Sequence, residues 1–317
     1  MRDESVAGVS GRSPCEGFRV LQIAPARRSF FDQQIGVLEN RGVECTVLTP
    51  RGDGGVRSRV DLYRRVLRAG LDRYDLVHVN YGPLAPLGLG QPTRPVVLTL
   101  WGTEFVGRSP WLDRATAAGV RYSDAVIVPS SAVGRRLSRR YEIVPFGVDT
   151  ELFRPISKEV ARDRLGWDRE ARIVLFPSDP KRAVKDYERA RRVVDRLTPA
   201  PRLETVCGRP YEEMPLVMNA SDALLVTSRY ESGPMVVEEA AACNVPVVST
   251  DVGFARELLT DVENSYVVGS EDGLVAGLEA ALDGDRRSNG RAVVDDFQLD
   301  RMADDLLSVY DRVVSDS

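Results

Sequence analysis

The stretch from Asp222 to Asp251 limits what this chain can fold into more than any other. It reads D-A-L-L-V-T-S-R-Y-E-S-G-P-M-V-V-E-E-A-A-A-C-N-V-P-V-V-S-T-D. Ala223 to Ser228 is an apolar run of strand length, and Arg229 to Gly233 is a polar turn. Pro234 suits the first turn of a helix, where its missing N–H would have had no partner. Met235 to Cys243 is rich in Ala and Glu and favours helix. Asn244 fits a left-handed stop, Pro246 marks the exit, and Val245 to Ser249 reads as a second buried strand. The unit is strand–turn–helix–strand of a parallel sheet. It sets a helix N-terminus at the carboxyl end of a strand, where open α/β sheets bind ligands.

Two carboxylates bracket the turn. Glu231 precedes the helix and Glu239 lies inside it, roughly 7–10 Å along the axis at ~1.5 Å per residue. Between them the amides of Gly233, Met235 and Val236, with Ser232 and Pro234 in the same turn, form a helix start that favours an anion such as phosphate. A nucleotide sugar needs that layout, with diphosphate in the middle, ribose at one end and sugar at the other. From spacing alone, two solvated helix glutamates read equally well.

The run from Glu231 to Pro246 resembles the E-x7-E signature of the family-4 retaining glycosyltransferases of the GT-B fold, E-G-x-G-x-P-x-x-E-A-x-A-C-G-x-P. Both acids are in register, followed by Ala240, Ala242, Cys243, Val245 and Pro246. The resemblance implies an α/β fold of two Rossmann-like domains facing a cleft. It implies an acceptor-side domain over 17–150, a nucleotide-sugar domain over 151–299, and a C-terminal helix, 300–315, that returns to the first domain.

Several classes fall away on composition. No apolar run reaches the ~18 residues of a membrane span, and the polar segment 1–16 reads as a disordered tail without a signal-peptide core. The four cysteines are scattered and there is one histidine, so no metal site is expected and a reducing cytoplasm is the simplest compartment. Charge is divided unevenly. Residues 17–150 carry nineteen arginines against twelve acids, and residues 151–317 carry twenty-two bases against thirty-two acids. Arg57, Arg59, Arg64, Arg65 and Arg68, and again Arg135, Arg136, Arg139 and Arg140, recur at helical spacing. An anionic acceptor surface, including peripheral contact at the inner membrane face, is one expectation; a solvated face paired with local acids is the other. No nucleic-acid partner is indicated.

Along the chain, strands are expected at Phe18–Ile23, Val43–Leu48, Asp75–Val79, Val96–Leu100 and Ala125–Pro129, with helices at 33–40, 60–69 and 133–140. Family members carry a Gly-Gly pair in the first loop; here it is P-A-R-R-S-F-F-D, with Arg27 and Arg28 as acceptor-side candidates. His78 lies within a strand, which favours a packed core histidine, although the resemblance also places it on the acceptor side. Trp101-Gly102-Thr103-Glu104 stands where the family has H-G-[ST]-[DE]. Trp101 can stack on a sugar but cannot accept a proton, and Glu104 is the motif's acid. In the second domain, Lys185 opens a helix as the family's lysine does. Arg182, or alternatively Lys181, stands in for its arginine on the diphosphate. Arg209 lies at a strand's carboxyl end, facing the base.

The resemblance therefore implies a retaining glycosyltransferase that needs no metal or cofactor. The nucleotide sugar is its substrate, and a glycan or lipid-linked molecule is its acceptor. Lys185 and Arg182 would stabilise the leaving diphosphate, Glu231 would hold the sugar and Glu239 the ribose. A nucleotide-sugar epimerase on the same fold, and a non-catalytic sugar- or nucleotide-binding module, are the rival readings. The altered first loop and Trp101 favour the latter. No G-x-G-x-x-G follows the first strand, which disfavours simple NAD binding.

Overall fold

Short apolar strands buried on both faces form the centres of two parallel sheets, as such strands must when helices cover each side, and half-exposed strands form the edges. The computed structural model describes residues 17–52, 55–105, 109–284 and 286–317; the expected disorder of 1–16 lies outside them. The first sheet contains β1 (Arg19–Ile23), β2 (Glu44–Leu48), β3 (Leu76–Asn80), β4 (Val96–Thr99), β5 (Ala125–Val128) and β6 (Glu142–Ile143), in the order β2-β1-β3-β4-β5-β6. The second contains β7 (Ile173–Phe176), β8 (Arg202–Thr205), β9 (Ala223–Val226), β10 (Val247–Thr250) and β11 (Tyr266–Val268), in the order β11-β10-β9-β7-β8. Two Rossmann-like domains result.

Helices α1 (Ser29–Asn40), α2 (Val56–Ala69), α3 (Ala85–Leu89), α4 (Pro110–Tyr122) and α5 (Ser131–Gly134) belong to the first domain. The second carries α6 (Lys158–Leu165), α7 (Tyr187–Asp195), α8 (Met214–Ala220), α9 (Met235–Ala242), α10 (Ala255–Leu259) and α11 (Glu271–Ala281). Side chains alternate across each sheet. Leu224 and Val226 join the core under α8 to α10, whereas Ala223 and Leu225 join the one under α7 and α11. Val20, Val97 and Ile127 face α12 (Leu299–Ser315), whose Met302, Leu306 and Tyr310 fill that side of the first sheet. Tyr310 also hydrogen-bonds His78 Nδ1 at 2.6 Å.

The chain crosses between domains twice, side by side. Val148 forms a parallel bridge with Gln298. A Cβ on Gly147 would lie 2.7 Å from Leu299 Cα, so the two crossings touch backbone to backbone.

Several element expectations need correction. The helix expected from Gln33 starts at Ser29, which takes Phe31 and Asp32 out of the loop. The basic helix expected over 133–140 is only the short α5; Arg135 to Arg140 follow it in a turn. Helices α3, α6 and α8 were not anticipated, and they occupy stretches interrupted by Pro, Gly or charge.

Candidate functional site

The carboxyl edge of the second sheet is stitched together before any ligand is considered. Thr227 at the end of β9 donates its hydroxyl to the carbonyls of Lys185 and Asp186, at 2.9 and 3.0 Å. The Arg229 amide bonds the Val184 carbonyl at 2.9 Å, and its guanidinium pairs with Asp186 at 2.9 Å. The loop before α9 is thereby fixed to the turn before α7. Lys185 does not open that helix; it closes a one-turn 3-10 segment, Ala183–Lys185, and α7 begins at Tyr187.

That stitching brings Lys185 and Glu231 into direct contact, with 12% and 15% of their side chains exposed. Ser228 Oγ donates to the same Glu231 oxygen at 2.7 Å. Arg182, just before the turn, is exposed and has no side-chain partner among the described residues. Pro234 is the N-cap of α9 rather than its first residue. The Met235 amide bonds the Gly233 carbonyl at 3.0 Å, which corrects the expectation that it is free. The amides of Gly233 and Val236 meet no protein acceptor among the described residues.

Glu239 is 4% exposed, and one of its oxygens accepts from Tyr211 Oη at 3.0 Å. Burial pushes its carboxyl up to about 7, with the Tyr211 hydrogen bond pulling the other way. Its neighbour Glu238 is fully buried, and neither of its oxygens has a hydrogen-bond partner among the described residues. Burial, then the charge of Glu239, hold it well above the usual carboxylate range. Arg209 pairs with Glu213 at 3.3 Å on an exposed turn.

The first domain closes on this loop. Tyr230 Oη donates to the Gly102 carbonyl at 2.9 Å, and Ser130 Oγ donates to the Ser232 carbonyl at 2.6 Å. Gly102 has φ +85°, and a Cβ there would lie 2.1 Å from that of Ser232. Only glycine fits both the turn and the contact.

The acceptor-side candidates separate. Trp101 is 8% exposed and sits among Phe30, Phe31, Tyr81, Phe146 and Met235, with the Phe30 ring 4.9 Å away. It joins the two domains instead of offering a face to a sugar. His78 is fully buried between Tyr310 and Thr99, with both ring nitrogens bonded, and burial lowers its pKa to about 3. It is a core residue. Arg27 is tied to Asp32 at 2.6 Å, and Arg28 is the exposed N-cap of α1. Glu104 is buried, and its Oε1 accepts from the Gly82 and Trp101 amides at 3.0 and 2.9 Å.

Arg135 to Arg140 do not form one basic face. Arg135 bonds Ser131, Arg136 lies over the Tyr230 ring at 4.7 Å, Arg139 caps the Val120 and Arg121 carbonyls, and Arg140 approaches Glu142 at 3.8 Å. Arg57, Arg64 and Arg68 on α2 are exposed, as are Val60, Tyr63 and Leu71. Sequence reasoning missed Tyr211, Ser228, Tyr230 and Glu238. The first lies in an irregular connection with no local signal, whereas the other three sit within or beside the E-x7-E run.

Residues 17–152 match the model described as Glycosyltransferase Family 4, and residues 185–292 match Glycosyl transferases group 1. A D-inositol 3-phosphate glycosyltransferase from Xylanimonas cellulosilytica is 30% identical over 314 residues, covering 77% of this chain and 74% of that protein. The chain belongs to the group 1 glycosyltransferases. Another group 1 relative of the same description, from Mycobacterium marinum, is 29% identical over 56% of this chain, and the match spans only 46% of its own length. Among solved structures, a sucrose-phosphate synthase from Thermosynechococcus elongatus superposes with a TM-score of 0.75 at 18% identity, over 95% of this chain and all of that one. Anabaena HepE, solved in complex with UDP-glucose, gives 0.67 at 17% identity over 92% and 99%. Among the described residues no three metal-ligating side chains cluster, and no helix is long and apolar enough to cross a membrane.

Proposed function

We propose that this glycosyltransferase transfers a sugar, with retention, from a nucleoside diphosphate sugar to a hydroxyl-bearing acceptor and needs no metal. The observation that carries the reading is the Lys185–Glu231 contact at the mouth of α9, with Glu239 buried further along the same helix. As the sugar–phosphate bond breaks, negative charge grows on the departing diphosphate. Lys185, Arg182 and the unpaired Gly233 and Val236 amides are positioned to stabilise that charge without a cation. Glu231, already oriented by Lys185 and Ser228, accepts from sugar hydroxyls, and Glu239 accepts from the ribose. The UDP-glucose complex of HepE and the inositol phosphate named for the curated relatives support a nucleotide-sugar donor and a polyol-type acceptor.

The same reading includes contact with an anionic bilayer through α2. Arg57, Arg64 and Arg68 recur at i, i+7 and i+11, beside exposed Val60, Tyr63 and Leu71. Donor chemistry is tested by calorimetry and hydrolysis with UDP-glucose, GDP-mannose and ADP-glucose, with and without EDTA. Hydrolysis of one donor that persists in EDTA is expected. Activity lost on chelation and restored by Mg²⁺ or Mn²⁺ overturns the metal-free mechanism, and no binding to any of the three overturns the donor reading.

A further inference from the structure

Tyr211 meets groups from both domains and from the crossing between them. It opens the 3-10 turn Tyr211–Glu213 ahead of α8, and its hydroxyl donates to Glu239 Oε1 on α9 at 3.0 Å. Its ring meets that of Phe153 edge-on, with centroids 5.3 Å apart. Phe153 is fully buried just past the first crossing. Its carbonyl accepts from Arg291 at 2.9 Å, and the same guanidinium nitrogen reaches the Ala242 carbonyl at the end of α9 at 3.3 Å. The remaining contact comes from the first domain. The side-chain amide of Gln33, on α1, bears on the Tyr211 hydroxyl as a donor. Gln33 also lines the cleft where Val148 and Gln298 cross.

These contacts are polarised in one direction. A donor on the Tyr211 oxygen makes its O–H a better donor in turn, as each bond in a chain polarises the next. Glu239 Oε1 receives that bond where burial drives the carboxyl toward its neutral form, and the Tyr211 hydroxyl opposes the burial. Burial, then the charge and hydrogen bond of Glu239, raise the Tyr211 pKa, while Gln33 pulls it down. The phenol therefore keeps its proton and remains a donor. Other titratable groups bearing on Glu239 are Glu238 and Cys243 on α9 itself, with Arg287 and Arg291 bearing on Cys243 from the segment after α11.

We propose that Tyr211 is a positioning residue: through it, Gln33 of the first domain controls the carboxylate that the second domain offers to the ribose. Tyr211 holds one Glu239 oxygen in place and favours the ionised form that ribose hydroxyls need. Gln33 strengthens that hold only while α1 lies against the Tyr211 turn, so the seating of one domain is felt in the donor site of the other. The inference rests on Glu239 as the ribose ligand and adds what prepares it.

Two readouts test it, the first without any ligand. Carbon-13 NMR titration of the Glu239 carboxyl, assigned by its loss in Glu239→Gln, should give a midpoint of about 7 in the wild type. Tyr211→Phe keeps the ring against Phe153 and should move the midpoint up by about one pH unit. Gln33→Ala, at a half-buried position, should move it up by a smaller step. That step should vanish in the Tyr211→Phe background, because its route is the lost hydroxyl. UDP calorimetry should follow the same pattern. At pH 7 a one-unit shift leaves about fivefold less ionised Glu239, so Tyr211→Phe should bind UDP about fivefold more weakly, a deficit that shrinks toward pH 9. A purely structural role for Tyr211 would give a deficit independent of pH. No UDP binding by the wild type, with the midpoints shifted as expected, overturns the ribose reading and leaves the coupling standing. UDP binding with an unmoved midpoint in Tyr211→Phe, or a Gln33→Ala step that persists undiminished without the Tyr211 hydroxyl, overturns the inference.

Discussion

Lys185 and Glu231, forty-six residues apart in the chain, are joined in one largely buried contact at the start of α9. Removing one partner of such a pair strands the other charge, whereas removing both is far less costly. Lys185→Met is expected to lower stability by about 3 kcal/mol, and Lys185→Met with Glu231→Leu to recover most of it. Each single variant should slow donor hydrolysis by ~10²–10³-fold. Chemical denaturation and initial rates check both; a double variant no more stable than Lys185→Met argues against a true pair.

Glu239 makes donor binding depend on pH. Its carboxyl is raised to about 7, and ribose hydroxyls donate best to the ionised form. The UDP dissociation constant should therefore fall as pH rises through about 7, beyond any change due to the phosphate itself. Stability runs the other way. A raised carboxyl binds its proton more tightly folded than unfolded, so stability falls as pH climbs from about 4.5 to about 7 and is flat above. The span amounts to ~3 kcal/mol. Glu239→Gln should remove both dependences, and matched titrations of wild type and variant decide it.

His78 carries the opposite sign. Its pKa is lowered from 6.5 to about 3 by burial, so its contribution to stability is present above 6.5 and lost as pH falls toward 3. At pH 5 the loss should reach ~2 kcal/mol relative to pH 7. The chain has one histidine, so His78→Asn isolates the effect. Denaturation at the two pH values should show the variant losing less than wild type.

Gly102 meets Ser232 where the domains close. Gly102→Ala should hold them apart while each sheet stays folded, raising the radius of gyration in solution scattering and suppressing hydrolysis. Adding Ser232→Gly opens space and should restore part of the activity. An unchanged scattering profile and rate in Gly102→Ala would falsify the closed arrangement as the working state.

Helix α2 should draw the protein onto anionic vesicles. Sedimentation with phosphatidylserine vesicles is expected to fall steeply with salt and to drop several-fold in a variant with Arg57, Arg64 and Arg68 replaced by Gln. Equal recovery with neutral vesicles at all salt concentrations refutes the contact.

The fold was legible where local pattern and burial agree. The apolar runs at β3, β4, β5 and β9 could hardly be anything but buried parallel strands, and the glutamates and punctuation around α9 located its unit. Short helices were not legible. Pro86 and Pro215 lie in the first turns of α3 and α8, where proline is tolerated, yet in sequence both read as breaks. Arg135 to Arg140 carried helical spacing, but their carbonyl and aromatic partners come from α4 and from Tyr230 across the interface. The site was half readable. Glu231, Glu239 and Lys185 stand in a recognisable register, but the Tyr211–Glu239 hydrogen bond and the enclosure of Trp101 depend on chain brought in from 28 and 134 residues away.

The paired crossings at Val148 and Gln298 make the second domain a cassette. Its two ends are neighbours in a parallel bridge, ~4.8 Å apart. A residue or two joining them would close the first domain, with α12 already seated on its sheet, and the excised 149–297 segment would leave with its own two cores, less Val148, which packs in one of them. The architecture is thus nested rather than tandem, and donor-half modules could in principle be exchanged at one junction without cutting into either sheet.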